Sequence, residues 1–281
     1  MPPVVPRCRR MGGHCRSLRV VLRVGAVDAG PASDDHEATW LLGHTERIRF
    51  GTLRNDGAHL YVTATLEVPC RYFELDPDGA ATCRAHGYVG RAPPEPDHPD
   101  VTQRRLGGEV FEYVDHGRVV RGPLASRPSP ARELPVLSTI NPCAGAPCRT
   151  ADHRRGASCC RDLQVEILCS ERAKWLEALI RSRRPPFLCK VTREGRDSLG
   201  AEMISACAYL ADDGVACALH GRVRPDGRPA KPDLCSEWPK PDDNMHPGCV
   251  YAGNRAIGDR DLGGLSRTQP RPPSLRPVYR A

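Results

Sequence analysis

The chain is short of almost everything that builds a large apolar core. Aromatic residues make up 5% of its 281 positions and hydrophobic residues 40%, while 28 Pro and 26 Gly punctuate it. Such a composition buries little apolar surface per residue, so cross-links or metals are expected to supplement the core. No stretch approaches the ~20 uninterrupted apolar residues of a membrane-spanning helix. Near the start, Arg19 and Arg23 interrupt the apolar residues of 18–27, so a secretory signal is not expected. A Gly-x-Ser-x-Gly elbow, a P-loop and a dinucleotide fingerprint are all missing, which removes the common signatures of esterases, NTPases and dehydrogenases. The dipeptides Asp115-His116 and Asp152-His153 read as simple turn dipeptides. The acidic pairs Asp34-Asp35 and Asp242-Asp243 lie among Pro and Gly and read as solvated.

Acidic residues are scarce at both ends. Residues 1–23 carry six Arg and no acid, and residues 255–281 carry six Arg against Asp259 and Asp261. Of the formal net charge of +7, the ends hold +10 and the body −3. The basicity belongs to the tails rather than to a folded binding face, so nucleic acid is not the expected partner.

Cysteine, by contrast, is abundant, with 14 in the chain. Eight follow the order Cys143-x4-Cys148-x10-Cys159-Cys160 and Cys207-x9-Cys217-x17-Cys235-x13-Cys249. Without an export signal the expected location is the cytoplasm, where thiols stay reduced and clustered cysteine points to metal rather than to disulfides. Thiolates at short spacings are the soft ligands that Zn²⁺ and iron–sulfur clusters require. Adjacent cysteines such as Cys159-Cys160 are poor disulfide partners and suit two separate jobs, as ligands to two metals or as one ligand and one buried thiol. Sequence does not separate zinc from iron–sulfur. His86, His220 and His246 stand near cysteines as possible further ligands. Cys169 and Cys189, beside apolar strand residues, read as small buried side chains, and Cys8 and Cys15 have no partner pattern.

The fold expected is α+β of low regular content: short antiparallel strands, one main helix and a Cys-rich, metal-organised loop region. Residues 1–40 read as a disordered Arg/Pro-rich segment whose start could be overlong. Residues 41–135 read as a β-rich half, 136–253 as the cysteine-cluster half, and 254–281 as a disordered tail. Strands are expected at 47–53 and 60–68 around the turn Asn55-Asp56-Gly57. A hairpin is expected at 109–113 and 118–121, and further strands at 163–168, 187–192 and 201–205. The helix is expected from about 171 to 183, with Ser170 as its N-cap and Pro185-Pro186 as its stop. From 212 to 251 the chain reads as loop.

One unit occurs twice. Cys70-Arg-Tyr72-Phe73 leads through Asp78-Gly79 to Cys83-x2-His86-Gly87, and Cys207-Ala-Tyr209-Leu210 leads through Asp213-Gly214 to Cys217-x2-His220-Gly221. Each follows a strand, and the Asp-Gly pair supplies the positive-φ turn that folds the second cysteine back toward the first. The second copy continues to Arg224-Pro225 and Cys235-Ser-Glu-Trp238-Pro239 and reads as the working site. The first reads as a smaller site, with Cys70, Cys83 and His86, or as a degenerate copy.

These residues resemble the YkgJ-type cysteine-cluster family, described as zinc- or iron-chelating proteins. The resemblance covers about residues 141–250. It is carried by Cys143, Cys148, Cys159-Cys160, Cys207-Ala-Tyr209-Leu210, Asp213-Gly214, Cys217, Arg224-Pro225 and Cys235 through Pro239. The ten residues between Cys148 and Cys159 exceed the family's usual spacing, and His220 stands where an aromatic is common. The resemblance implies metal chelation without a reaction. The ligands expected are Cys143, Cys148, Cys159, Cys160, Cys207, Cys217, Cys235 and Cys249, holding Zn²⁺ or an iron–sulfur cluster. The alternative is an iron–sulfur-dependent redox or protein-modifying enzyme, distinguished by an open ligand position facing a cleft.

Overall fold

The computed structural model describes residues 13–26, 33–93, 110–115, 117–126, 157–169, 173–185, 187–232 and 235. The expected tail 254–281 lies outside them. Within them the protein is mostly antiparallel sheet with few helices.

The alternation of apolar and polar residues at Leu18, Val20, Leu22 and Val24 makes a strand with one buried face, β1 (Leu18–Ala26). A helix, α1 (Ser33–Leu42), follows, and then β2 (Ile48–Asn55) and β3 (His59–Leu66). The β2–β3 turn is closed by Asn55 and Asp56. The Asn55 Oδ1 accepts from the Gly57 amide at 2.7 Å, and Gly57 takes φ 94°. Three short strands come next, β4 (Phe73–Leu75), β5 (Ala80–Cys83) and β6 (Tyr88–Arg91), forming a small sheet of their own. The hairpin β7 (Val110–Asp115) and β8 (Arg118–Pro123) and the short β9 (Ala125–Ser126) complete this part.

The pattern then repeats. A strand β10 (Asp162–Leu168) leads to helix α2 (Ala173–Arg181), then β11 (Leu188–Arg193) and β12 (Ser198–Ile204), before the short β13 (Arg222–Val223). The main sheet has six strands in the order β11-β12-β10-β1-β3-β2, so each half of the chain supplies one side. The register is the same on both sides. Leu18, Val20 and Leu22 pair with Leu66, Ala64 and Val62; Leu163, Val165 and Ile167 pair with Met203, Ala201 and Leu199. At the centre β1 meets β10 antiparallel, with Val21 opposite Leu168, Leu22 opposite Ile167 and Arg23 opposite Glu166. Exchanging Leu22 for Ile167 maps these pairs onto one another, so a pseudo-twofold axis passes between the two residues. The duplication therefore extends from the short cysteine unit to a whole strand–helix–strand–strand–cysteine module.

The core lies on one face of this sheet. The inward residues of β1, β3, β10 and β12 pack with Trp40, Leu41 and Leu42 of α1 and with Ala173, Leu179 and Ile180 of α2. The opposite face is more open, with Arg19 and Val21 exposed. Leu22 and Ile167 are both fully buried at the axis. Leu22→Ala and Ile167→Ala are therefore expected to lose similar stability, about 2–5 kcal/mol each. Urea titration reads this as similar falls in midpoint at unchanged slope.

Two expectations need correction. Residues 18–26 and 33–40 are not a disordered segment: Arg19 and Arg23 occupy the open face of a strand whose alternate residues Leu18, Val20, Leu22 and Val24 are core, and a helix follows it. The described residues hold two α-helices rather than one main helix. The apolar residues of α1 crowd into its last turn, so the acidic start hid it. The two halves share one sheet, because β1 and β10 join them edge to edge.

Candidate cysteine cluster

The second cysteine unit is assembled from three pieces of chain. A 3₁₀ turn, Ser158–Cys160, begins after Ala157, which takes φ 49°. Cys207 follows β12 and donates its backbone amide to the Cys160 carbonyl at 2.7 Å. Leu210 donates to the Cys207 carbonyl at 3.0 Å and bridges Cys217, so the chain doubles back between the two cysteines. The Asp213-Gly214 turn does this as expected: the Asp213 carboxylate accepts from the Val215 and Ala216 amides, each at 2.8 Å, and Gly214 takes φ 72°. Those two bonds hold the Asp213 carboxyl below its usual range. The buried Arg161, next to Cys160, donates to the Gly214 carbonyl at 2.7 Å and ties the 3₁₀ turn to this loop.

The third piece comes from the other half of the protein. Ala208 donates to the Gly43 carbonyl at 2.7 Å, just past the end of α1. A Cβ on Gly43 would stand 3.2 Å from the Cys207 Sγ, so the absence of a side chain lets the backbone approach the sulfur. On the other side the hairpin of β7 and β8 covers the unit. Phe111 and Tyr113 stack, Phe111 meets Tyr209 edge-on at 5.4 Å, and Cys207 and Cys217 pack against this cluster. The Arg224-Pro225 step is seated here too. Arg224 lies over the Tyr113 ring at 4.8 Å, and Pro225 fills the space beside Gly122, where a Cβ would come within 2.2 Å of it.

The sulfurs form an interacting group. The Cys235 thiol is pushed well above its ordinary value by burial, and further by the neighbouring sulfurs of Cys207, Cys159 and Cys217. The Cys159 thiol is also pushed well up, first by a hydrogen bond with the Cys160 thiol, then by desolvation. Cys159 keeps residue surface open to solvent while its sulfur is desolvated. The Lys231 ammonium faces both Cys159 and Cys235 and opposes these shifts. Thus Cys159, Cys160, Cys207, Cys217 and Cys235 come to one corner of the molecule. Cys143, Cys148 and Cys249, like His246, lie outside the described residues. Among the described residues, no group of three or more His, Cys, Asp or Glu side chains stands at the spacing that holds a metal ion. Thiols are donors that soft metals prefer, but to hold one these would have to turn toward a common centre from their present positions.

His86 and His220 are both exposed, at matching places after Cys83 and Cys217. Cys169 packs in the main core, and burial raises its thiol. The side chain of Cys189, expected to pack likewise, lies outside what the structure describes. Cys15 is the residue that sequence reasoning missed. It is buried in a cluster with Cys70, Phe73 and Ala81, and its carbonyl accepts from the Cys70 amide at 2.9 Å. The signal was present in the sequence as Cys15-Arg16, the counterpart of Cys160-Arg161, each just before a strand.

No family model, no curated protein and no solved structure matches the chain. No helix among the described residues is long and apolar enough to cross a membrane.

Proposed function

We propose that this protein chelates metal through thiolates of its carboxyl-terminal half, as zinc or as an iron–sulfur cluster, in the reducing cytoplasm. The ligands proposed are drawn from Cys143, Cys148, Cys159, Cys160, Cys207, Cys217, Cys235 and Cys249. The observation that carries this reading is the meeting of three separate stretches of chain: the Cys207 amide bonds to the Cys160 carbonyl, Leu210 bridges back to Cys217, and the sulfurs of Cys207, Cys159 and Cys217 bear on the buried Cys235. Burial, and then the neighbouring sulfurs, disfavour the thiolate of Cys235 when no metal is bound. A cation that accepts the thiolate reverses that effect. The order of cysteines, the Asp213-Gly214 turn and the Arg224-Pro225 step supports the same reading through the YkgJ-type resemblance.

Purification without oxygen, followed by elemental analysis and an absorption spectrum, tests it. Stoichiometric zinc in a colourless protein selects zinc, and iron with visible absorption selects a cluster. Less than about a tenth of an equivalent of either after reconstitution contradicts the proposal, given the tight binding typical of thiolate sites. The raised thiols also set a pH dependence. Cys159 and Cys235 remain protonated at neutral pH without metal, so binding must release protons and must weaken as pH falls. Calorimetric zinc titrations in two buffers of different ionisation enthalpy are expected to show net proton release.

A further inference from the structure

The two cysteine units match bond for bond. In the first, Phe73 donates to the Cys70 carbonyl at 3.0 Å, Arg84 to Tyr72 at 2.9 Å and His86 to Cys83 at 3.2 Å. In the second, Leu210 donates to Cys207 at 3.0 Å, Ala218 to Tyr209 at 2.9 Å and His220 to Cys217 at 3.1 Å. Phe73 pairs with Cys83 as Leu210 bridges Cys217. The bond from Cys70 to the Cys15 carbonyl repeats the one from Cys207 to the Cys160 carbonyl. Each unit also rests on the helix end of the other half: Arg71 donates to Ser182 past α2 at 2.8 Å, as Ala208 donates to Gly43 past α1.

This correspondence sets Cys15 against Cys160, Cys70 against Cys207, Cys83 against Cys217, and His14 against Cys159. Cys15, Cys70 and Cys83 are all buried, at 4%, 7% and 4% exposure. The His14 Nε2 is buried with no hydrogen-bond partner, while its ring meets Trp175 of α2 edge-on at 6.0 Å. The surroundings carry positive charge. Arg183 is buried, bridges Cys70 through the backbone and donates to the Val68 carbonyl at 3.1 Å.

We infer that the amino-terminal half holds a second zinc site, with Cys15, Cys70 and Cys83 as thiolate ligands and His14 as the fourth. Three thiolates and one imidazole are a common closed tetrahedral set for Zn²⁺. Such a site carries a net charge of about −1 by ligand count, which Arg183 offsets. His86, exposed, takes no part. As in the other half, the four side chains must turn from their described positions to close on the ion. The inference rests on the chelation reading only through the likeness of the halves.

Native mass spectrometry of the full chain, purified anaerobically and reconstituted with zinc, tests it. Cys15→Ser and Cys83→Ser are each expected to carry one zinc fewer than the unaltered chain, and Cys217→Ser to retain the amino-half ion. His14→Gln, at a half-buried position, guards against misfolding of the cysteine variants. It is expected to weaken that site beyond the ~10–100-fold typical of an outer-shell partner. Full zinc content in Cys15→Ser, Cys83→Ser and His14→Gln, with loss in Cys217→Ser, overturns this site and leaves the carboxyl-half reading standing. Loss in Cys15→Ser with none in Cys217→Ser supports this site and overturns the other. No zinc in the unaltered chain overturns both.

Discussion

A chain shortened by residues 1–26 is expected not to fold. That deletion removes β1, which lies in the middle of the six-stranded sheet between β10 and β3. Leu18, Val20, Leu22 and Val24 are all buried in the main core. At about 1.5–3 kcal/mol for each buried aliphatic side chain, their loss rivals a typical whole-domain stability of about 5–15 kcal/mol. It also uncovers the facing edges of β3 and β10, and unpaired edges invite aggregation. Cys70 loses its backbone bond to Cys15 as well. Denaturant titration of the shortened chain is expected to show no cooperative transition. A sharp transition at the midpoint of the full chain would mean that β1 does not occupy the centre of the sheet.

Cys207→Ser is the substitution with the next largest expected effect. Cys207 joins the three pieces of the carboxyl-half cluster: its amide is bonded to Cys160, its sulfur lies against Gly43, and its charge reaches Cys235. Structural zinc in small thiolate sites is worth roughly 10 kcal/mol or more. Loss of the metal is therefore expected to release the loop of residues 207–232, where β13 is the only regular strand among the described residues. Hydrogen exchange is expected to show lost protection there while the amides of β3 and β12 stay protected. Cys169→Ser provides the contrast. Its thiol packs in the main core, so the change is expected to cost about 1–3 kcal/mol for burying a hydroxyl and to leave metal content unchanged. Equal metal loss in the two variants would show that global unfolding, rather than a missing ligand, is being measured.

Local patterning made much of this fold readable. The turn at Asn55-Asp56-Gly57, the hairpin around Gly117 and the strands near Leu163, Val191 and Ala201 all rest on alternation and turn residues, which act over a few positions. What stayed hidden is non-local. β1 has clear alternation, but Arg19 and Arg23 made it read as a basic tail, since sequence does not show which face of a strand a partner covers. α1 has an acidic start and apolar residues only near its end, so no helical period runs its length. The duplication was legible where chemistry preserves residue identity, at Cys, Asp-Gly and His-Gly. It was invisible in the sheet, where Leu18 and Leu163, Val20 and Val165, or Leu22 and Ile167 need only agree in being apolar and in register. Cys15 was missed for the same reason: its partners lie on β4, β5 and the Cys70 turn.

X-ray absorption at the edge of whichever metal the anaerobically purified chain holds, zinc or iron, tests the central claim most directly. A first shell dominated by sulfur is expected, with metal–sulfur distances near ~2.3 Å for zinc, and loss of that shell in Cys207→Ser. A first shell of oxygen and nitrogen alone would contradict it.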